Sequence, residues 1–155
     1  MYSVWLTDEE QRVWRDYLAL TARLQAEMSR QLQADCGLSL ADYDILVALD
    51  DAGGCRVKVL GELLGWEQSR LSHQLGRMRT RGLVTRAGTD DDRRGATIDL
   101  TDDGRAALTA AAPGHAELVR AVVFDGVPAT ELRALGRWTS RALDRVDRLA
   151  TSRTR

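Results

Sequence analysis

The sequence lacks the marks of secreted and membrane-spanning proteins. It contains two cysteines, Cys36 and Cys55, and their spacing is not that of a disulfide framework or a CxxC motif, so we expect both to be reduced. Its longest apolar run is a few residues, whereas a bilayer-spanning helix needs about 20. Polar residues 7–10 stand where a signal peptide would carry its apolar segment. These absences predict a cytoplasmic protein that does not interact with membranes.

The sequence also lacks the motifs of common enzymes and metalloproteins. It has no glycine-rich phosphate loop, no nucleophile elbow and no paired-carboxylate motif. Its few histidines and cysteines, which are Cys36, Cys55, His73 and His115, have none of the compact spacings of zinc sites. We therefore predict a protein that is not an enzyme and that has no cofactor and no metal site.

What the sequence does contain is enough apolar material for one folded domain spanning residues 1–155. Hydrophobic residues make up 44% of the chain and charged residues 29%. The net charge of −1 gives no overall sign of a nucleic-acid partner, but residues 65–89 hold five arginines and one acidic residue, a local charge of +4. This segment is either a surface that faces phosphates or an arginine-rich surface that is only solvated.

Apolar periodicity and capping residues predict six helices and two strands. Thr7 and Ser39 have the form of N-caps, and glycines such as Gly82 are placed to end helices. Proline inside the fifth helix, at Pro113, predicts a kink or a break. The predicted helices cover residues 7–32, 39–53, 58–64, 68–81, 102–124 (with the interruption at Pro113) and 129–149, and the predicted strands cover residues 83–86 and 96–100.

Two short helices joined by a glycine turn and followed at once by a β-hairpin form a winged helix-turn-helix. The predicted fold is therefore mainly α with a small β-hairpin wing. Placing residues 68–81 on a helical wheel puts Leu71, Leu75 and Met78 on one face. The other face carries hydrogen-bond donors and no acidic residue. Its predicted DNA-binding residues are Ser69, Arg70, Ser72, His73, Gln74 and Arg77.

The hairpin adds two further candidate DNA contacts, Arg93 and Arg94, near its tip. Arginine at a wing tip can enter a minor groove, where the negative potential is strong. The preceding run, Asp90 to Asp92, would repel phosphates unless an arginine neutralises part of it. The alternative is that this acidic run is a solvated turn.

Three segments of the chain resemble the MarR family of transcriptional regulators: residues 37–46, Gly82-Leu83-Val84, and above all Asp92-Arg93-Arg94-Gly95 leading to Leu100-Thr101-Asp102-Asp103-Gly104. The resemblance implies a DNA-binding lobe at residues 38–101 and a helical dimerisation region at 7–36 and 102–150. It also implies a homodimer that binds palindromic operator double-stranded DNA and usually represses. Within the wing, the resemblance assigns Asp92 as the bracing carboxylate and Arg94 as the minor-groove contact.

Dimerisation is also expected from the sequence itself, because apolar stripes along residues 13–32 and 132–149 exceed what one small lobe can cover. The family resemblance further implies a small aromatic or phenolic ligand between the lobe and the dimerisation helices. Trp14, Tyr17 and Tyr43 can line such a cleft, or all three can be core residues. Two other functions stay open: a helical adaptor protein that uses the hairpin for protein contacts, and a redox-sensing regulator that uses a cysteine.

Overall fold

The computed structural model describes residues 5–88 and 95–153, which fold mainly into α-helices. In chain order the elements are α1 (Asp8–Cys36), α2 (Leu40–Ala52), β1 (Cys55–Arg56), α3 (Val57–Leu64), α4 (Gln68–Thr80), β2 (Val84–Ala87), β3 (Thr97–Leu100), α5 (Asp102–Val119), a π-helical turn (Arg120–Phe124) and α6 (Ala129–Arg153). The described residues up to Ala116 and those from Glu117 onward form two compact units. The predicted mainly helical fold with a small wing is confirmed.

The first two helices begin at the capping boxes that the sequence predicts. Glu10 N donates to Thr7 Oγ1 at 3.2 Å, and Thr7 N donates to Glu10 Oε2 at 2.8 Å. Ser39 forms the same reciprocal pair with Asp42 at the start of α2. These bonds satisfy amide groups that have no partner within the helix, so both helix starts are fixed by local sequence.

One hydrophobic core holds the first unit together. Leucine dominates it, and every long element of the unit contributes at least one residue. The buried members are Leu32, Leu38, Ile45, Leu46, Leu49, Leu60, Leu71, Leu75, Met78, Leu83, Val84, Ile98, Leu100 and Ala111. The core therefore fixes α4 and the base of the wing against α2 and α3.

The sheet has three antiparallel strands in the order β1-β3-β2 rather than the two that the sequence predicts. Cys55 pairs with Ile98 and Arg56 with Thr97, so β1 extends the hairpin on its other edge. A two-residue strand is too short to show an alternating pattern, and its pairing partner lies about 40 residues away in sequence. The sequence near Cys55 therefore contains no local pattern that predicts this strand.

Two details of the predicted helices are wrong. The predicted break at Pro113 does not occur, because α5 runs unbroken from Asp102 to Val119. Pro113 and Thr109, whose carbonyl lacks its usual donor, are both exposed, so water can replace the missing bond. The apolar spacing of residues 58–64 also predicts that Leu60, Leu63 and Leu64 face inward, but Leu63 is 60% exposed on α3.

The second unit contains the end of α5, the π-helical turn and α6. Asp125 N donates to the Arg120 carbonyl at 2.8 Å, which closes the wider turn before α6 begins. The side chains of α6 are largely exposed, including Leu143 and Val146. Over the described ranges 5–88 and 95–153, no helix combines the length and the apolarity that crossing a bilayer requires.

Candidate nucleic-acid interface

Helix α4 is held by its apolar face and by the turn that precedes it. Leu71, Leu75 and Met78 are buried in the core, as the helical wheel predicts. The turn closes through Trp66 N, which donates to the Gly61 carbonyl at 3.0 Å. A β-carbon at Gly61 would overlap the Gln68 amide nitrogen. That nitrogen ends a flexible side chain, so Gly61 provides room for the Gln68 amide and does not set the distance between α3 and α4.

The outer face of α4 is polar and basic. Ser69, Arg70, Ser72, His73 and Arg77 are all exposed on it, as the helical wheel predicts. No acidic residue occurs between Gln68 and Thr80. A surface made of serine, histidine and arginine side chains offers hydrogen-bond donors and positive charge, which suits both phosphate oxygens and base edges.

Gln74 differs from the other predicted DNA-binding residues because it is buried, with only 5% of its surface exposed. The prediction that its side chain faces outward with the other DNA-binding candidates is wrong. Its Nε2 donates to Asp42 Oδ1 at 2.6 Å, and its Oε1 accepts a hydrogen bond from Arg77 Nη2. These two hydrogen bonds replace the ones that the Gln74 amide would form with water if it faced solvent.

Asp42 is the centre of a polar network that sequence reasoning missed. Besides Gln74, it accepts hydrogen bonds from Ser39 N at 2.9 Å and from Arg81 Nη1 at 2.6 Å. Arg81 Nη2 also donates to the Gly37 carbonyl at 3.0 Å. Asp42 is recognisable in sequence only as a helix cap, since its long-range partners lie 32 and 39 residues away.

The charge of Asp42 is stabilised in spite of its burial. Burial by itself would raise the pKa of this carboxyl, but the hydrogen bonds from Arg81 and Ser39 and the positive charge of Arg81 together hold the pKa below its ordinary value of 3.8. Asp42 is therefore an anionic acceptor at neutral pH. The network joins α2, α4 and the end of α1 through one carboxylate.

Arg70 is positioned by an aromatic ring rather than by a carboxylate. Its guanidinium carbon lies 4.1 Å from the centre of the Trp66 ring. This stacking restrains the arginine and leaves the edges of the guanidinium, which carry its N–H groups, open to other partners. Trp66 was not among the predicted site residues.

The wing is described at its base but not at its tip. Strands β2 and β3 pair in register from Val84 with Leu100 to Ala87 with Thr97. The predicted site residues Asp92, Arg93 and Arg94 lie outside the described residues. Their assigned roles stay predictions.

A separate cavity of about 620 Å³ lies in the first unit beside Tyr43. Its other lining residues come from α2, α3 and α5 and include Asp44, Asp51, Leu63 and His115. The rings of Tyr43 and His115 lie 4.4 Å apart. Of the three aromatic residues predicted to line a ligand cleft, Tyr43 lines this cavity.

Trp14 and Tyr17 have a different environment. They stack on each other on α1, with ring centres 5.7 Å apart, and both are exposed. Neither lines the cavity beside Tyr43. A role for these two residues in ligand binding stays a prediction.

The groups around the cavity have shifted pKa values. Burial lowers the pKa of His115 below 6.5, although the nearby Asp44 opposes this shift. Burial raises the pKa of Asp44 above 3.8, against the opposing charges of His115 and Arg70. Burial, with the charge of Asp44, also raises the pKa of Tyr43. The site therefore favours neutral forms of its histidine and its phenol at neutral pH.

The two cysteines are free thiols, and both are partly buried. Cys36 Sγ donates to the Leu32 carbonyl at 3.1 Å within α1. Burial and the nearby Asp99 raise the pKa of Cys55, whereas a reactive cysteine needs a lowered pKa. Across the described part of the chain, no cluster of three histidine, cysteine or acidic residues is arranged to hold a metal ion.

With this geometry in view, comparison with known proteins identifies the family. A sequence model of the MarR family matches residues 37–95. The structure superposes with a TM-score of 0.85 on Sco3205, a MarR family transcriptional regulator from Streptomyces coelicolor solved in complex with DNA. The two sequences are 35% identical over 92% of this chain and 91% of Sco3205. The chain belongs to the MarR family of transcriptional regulators.

Two further MarR relatives agree with this assignment. AbsC, a MarR family transcriptional regulator from Streptomyces coelicolor, has a TM-score of 0.85 and 33% identity, over 94% of this chain and 99% of AbsC. YfiV of Bacillus subtilis (strain 168), described as an uncharacterized HTH-type transcriptional regulator, is 27% identical over 64% of this chain. That match spans 62% of the length of YfiV. The predicted resemblance to the MarR family is confirmed.

Proposed function

We propose that this MarR protein is a sequence-specific repressor that binds a near-palindromic operator in double-stranded DNA as a homodimer. The observation that carries the proposal is the exposed face of α4, where Arg70, Arg77 and their serine and histidine neighbours stand without any acidic residue. In a winged helix-turn-helix, this second helix enters the major groove. The DNA complex of Sco3205 supports the same partner for this chain. Such a protein acts in the cytoplasm, beside the DNA that it regulates.

The homodimer is supported by apolar side chains that the single chain leaves exposed. On α1, Val13 is 63% exposed and Leu18 is 46% exposed. On α6, Leu143 is 64% and Val146 is 60% exposed. Exposed apolar surface on this scale is typical of a protein interface, and obligate dimers bury more than about 2,000 Å². The helical region at residues 7–36 and 102–150 would supply this interface, beside the DNA-binding lobe at 38–101.

A two-fold dimer sets the form of the operator. Its two α4 helices would read half-sites whose centres are about one helical turn, 10 to 10.5 base pairs, apart. Arg70 and Arg77 can each form a bidentate contact with a guanine, while Ser69, Ser72 and His73 can contact phosphates or base edges. In the wing, Arg93 and Arg94 would reach the minor groove, and Asp92 would brace the hairpin.

Regulation by a small aromatic or phenolic ligand is the second part of the proposal. The cavity beside Tyr43 supports it, since its volume falls within the range of known ligand sites, about 300 to 1,000 Å³. Ligand binding there would release the repressor from its operator. A titration with a panel of phenols, followed by the tryptophan fluorescence of the protein, tests this part. Unchanged fluorescence and unchanged operator affinity across the panel would contradict it.

Selection from random duplex DNA tests DNA reading directly. The library would contain random segments of about 30 base pairs, long enough for two half-sites with flanks. We expect the enriched sequences to be near-palindromic, with half-sites one helical turn apart. Sedimentation of the protein at micromolar concentration should show a dimer. Enrichment of no common sequence, or a monomer in sedimentation, would contradict the proposal.

Three single variants on α4 then locate the readout. Arg70→Ala and Arg77→Ala should each cost about 1 to 3 kcal/mol of binding free energy and relax specificity at one base pair. Arg79→Ala is the matched control, because Arg79 is an exposed arginine of the same helix outside the predicted site. It should weaken binding to all sequences alike. If all three variants lose the same affinity and none of them loses specificity at a base pair, the assigned roles of Arg70 and Arg77 are contradicted.

A further inference from the structure

Gln74 connects the buried interior of the first unit with the outer face of α4. Its amide is used at both ends, since Nε2 donates to Asp42 and Oε1 accepts from Arg77. These partners fix which way the amide points: a carboxylate can only accept and a guanidinium can only donate. The side chain therefore has one orientation that satisfies both neighbours.

The inner end of this connection is rigid. Asp42 is 1% exposed. Its Oδ1 accepts from Gln74, and its Oδ2 accepts from both Ser39 N and Arg81 Nη1. Arg81 in turn donates to the Gly37 carbonyl, at the end of α1. Rotation of Gln74 would leave a buried carboxylate oxygen without its short hydrogen bond, and buried polar groups rarely lack a partner.

The outer end is an arginine that the proposed function places in the major groove. Arg77 follows Gln74 by three residues, so the two side chains are neighbours on α4 although one is buried and the other exposed. One guanidinium nitrogen of Arg77 bonds to Gln74, and the other N–H groups keep their capacity to donate. An arginine held in this way loses less rotamer freedom when it binds than a free one does.

We propose that Gln74 is a positioning residue for DNA reading: anchored by Asp42, it orients the guanidinium of Arg77 toward its base pair. This inference rests on the proposed role of Arg77 in DNA binding. Gln74 itself contacts no DNA and acts only through Arg77. A purely structural role would affect the stability of the fold but not the selectivity for one base pair.

A double-mutant cycle measures the connection. The four proteins are the wild type, Gln74→Met, Arg77→Ala and the double variant. Methionine has a similar length to glutamine but can neither donate to Asp42 nor accept from Arg77 with comparable strength. The probes are the duplex enriched by the wild type from the random library and its single-base-pair variants, measured at one salt concentration.

We expect Gln74→Met to reduce discrimination about threefold to tenfold at the same base pair where Arg77→Ala reduces it. In the Arg77→Ala background, Gln74→Met should then have no further effect on discrimination. If Arg77→Ala changes discrimination but Gln74→Met adds an independent loss in that background, the positioning role is overturned while the proposed function stands. If Arg77→Ala changes no base-pair preference, the assigned readout of the proposed function fails as well.

Gln74→Glu keeps the test decisive if the methionine variant does not fold. Glutamate still offers Arg77 an acceptor, now with a full negative charge, but it cannot donate to Asp42 as Gln74 does. The local groups become two carboxylates and two guanidinium groups, from Asp42, residue 74, Arg77 and Arg81, whereas the wild type has one carboxylate and two guanidinium groups. We expect this variant to retain discrimination at the base pair read by Arg77, even if its melting temperature falls. A folded Gln74→Glu protein with the discrimination profile of Arg77→Ala would overturn the inference.

Discussion

The guanidinium of Arg81, just after α4, lies 2.6 Å from the carboxylate of Asp42 on α2. The carboxylate is buried, whereas the arginine side chain is 42% exposed. The two partners are therefore unequal: Arg81 can find water if the pair is broken, but Asp42 cannot. Each side of the pair should respond differently to mutation.

We expect Asp42→Ala to lower the free energy of unfolding by about 1 to 3 kcal/mol, because the buried amide of Gln74 loses its acceptor. Urea unfolding followed by circular dichroism measures this loss. The matched control is Glu27→Ala on α1, which breaks the exposed pair with Arg30 and should leave stability near that of the wild type. Equal stability of both variants would show that the network contributes little.

Gly104 in α5 should not tolerate a side chain. A β-carbon there would overlap the carbonyl oxygen of Leu83, a backbone atom that cannot rotate away. We expect Gly104→Ala to lower the melting temperature, because α5 must shift from the base of the wing. Gly76→Ala is the control, since Gly76 has open space in the middle of α4 and alanine there should stabilise the helix by about 1 kcal/mol. A stabilised Gly104→Ala protein would contradict the close packing.

His115 should make the protein less stable in mild acid. Its pKa in the fold is below 6.5, so the unfolded chain takes up the proton first as the pH falls. The contribution of neutral His115 to the free energy of unfolding is fully present above pH 6.5. It is lost as the pH falls from 6.5 through the lower pKa of His115 in the folded state. Asp44, whose pKa is raised, has the opposite effect closer to its ordinary value of 3.8. Urea midpoints between about pH 7.5 and 5.5 should therefore decrease less in His115→Gln than in the wild type.

In the wing, Arg94→Ala and Asp92→Ala should affect DNA binding in different ways. Arg94→Ala should weaken operator binding and reduce the slope of log K against log salt by up to about one unit, because it removes one ionic contact in the minor groove. Asp92→Ala removes a negative charge from the DNA side, yet we expect weaker binding, since the wing loses its brace. Filter binding across a salt series measures both variants. Tighter binding by Asp92→Ala at every salt concentration would identify Asp92 as a solvated turn residue.

The sequence predicts the helices, the hairpin and the family because these depend on local signals. Capping boxes at Thr7 and Ser39 and the spacing of Leu71, Leu75 and Met78 act within a few residues of one another. The role of Gln74 could not be predicted in this way. On a helical wheel it lies beside the outer face, and only the presence of Asp42, 32 residues earlier, turns its side chain inward.

The same distinction applies to β1 and to the cavity. Cys55 and Arg56 become a strand only because β3 offers a free edge. Tyr43 was predicted as a ligand residue together with Trp14 and Tyr17, but aromatic content alone does not show which rings border a cavity. His115 joins Tyr43 across 72 residues of sequence, a contact that no local pattern reports.

The short strand β1 links the base of the wing to the helix-turn-helix through its pairing with β3. Val57 N, at the start of α3, donates to the Ala96 carbonyl at 3.0 Å, and β3 is bonded on both edges. The spacing between α4 and the wing base is thus built into the protein and cannot adjust freely to the DNA. One DNA segment contacts α4 and another contacts the wing. Each base pair inserted between these two segments would move them about 3.4 Å farther apart along the duplex and would rotate one relative to the other about the duplex axis. We therefore expect binding to depend on the number of base pairs between the major-groove site of α4 and the minor-groove site of the wing, as well as on the bases themselves.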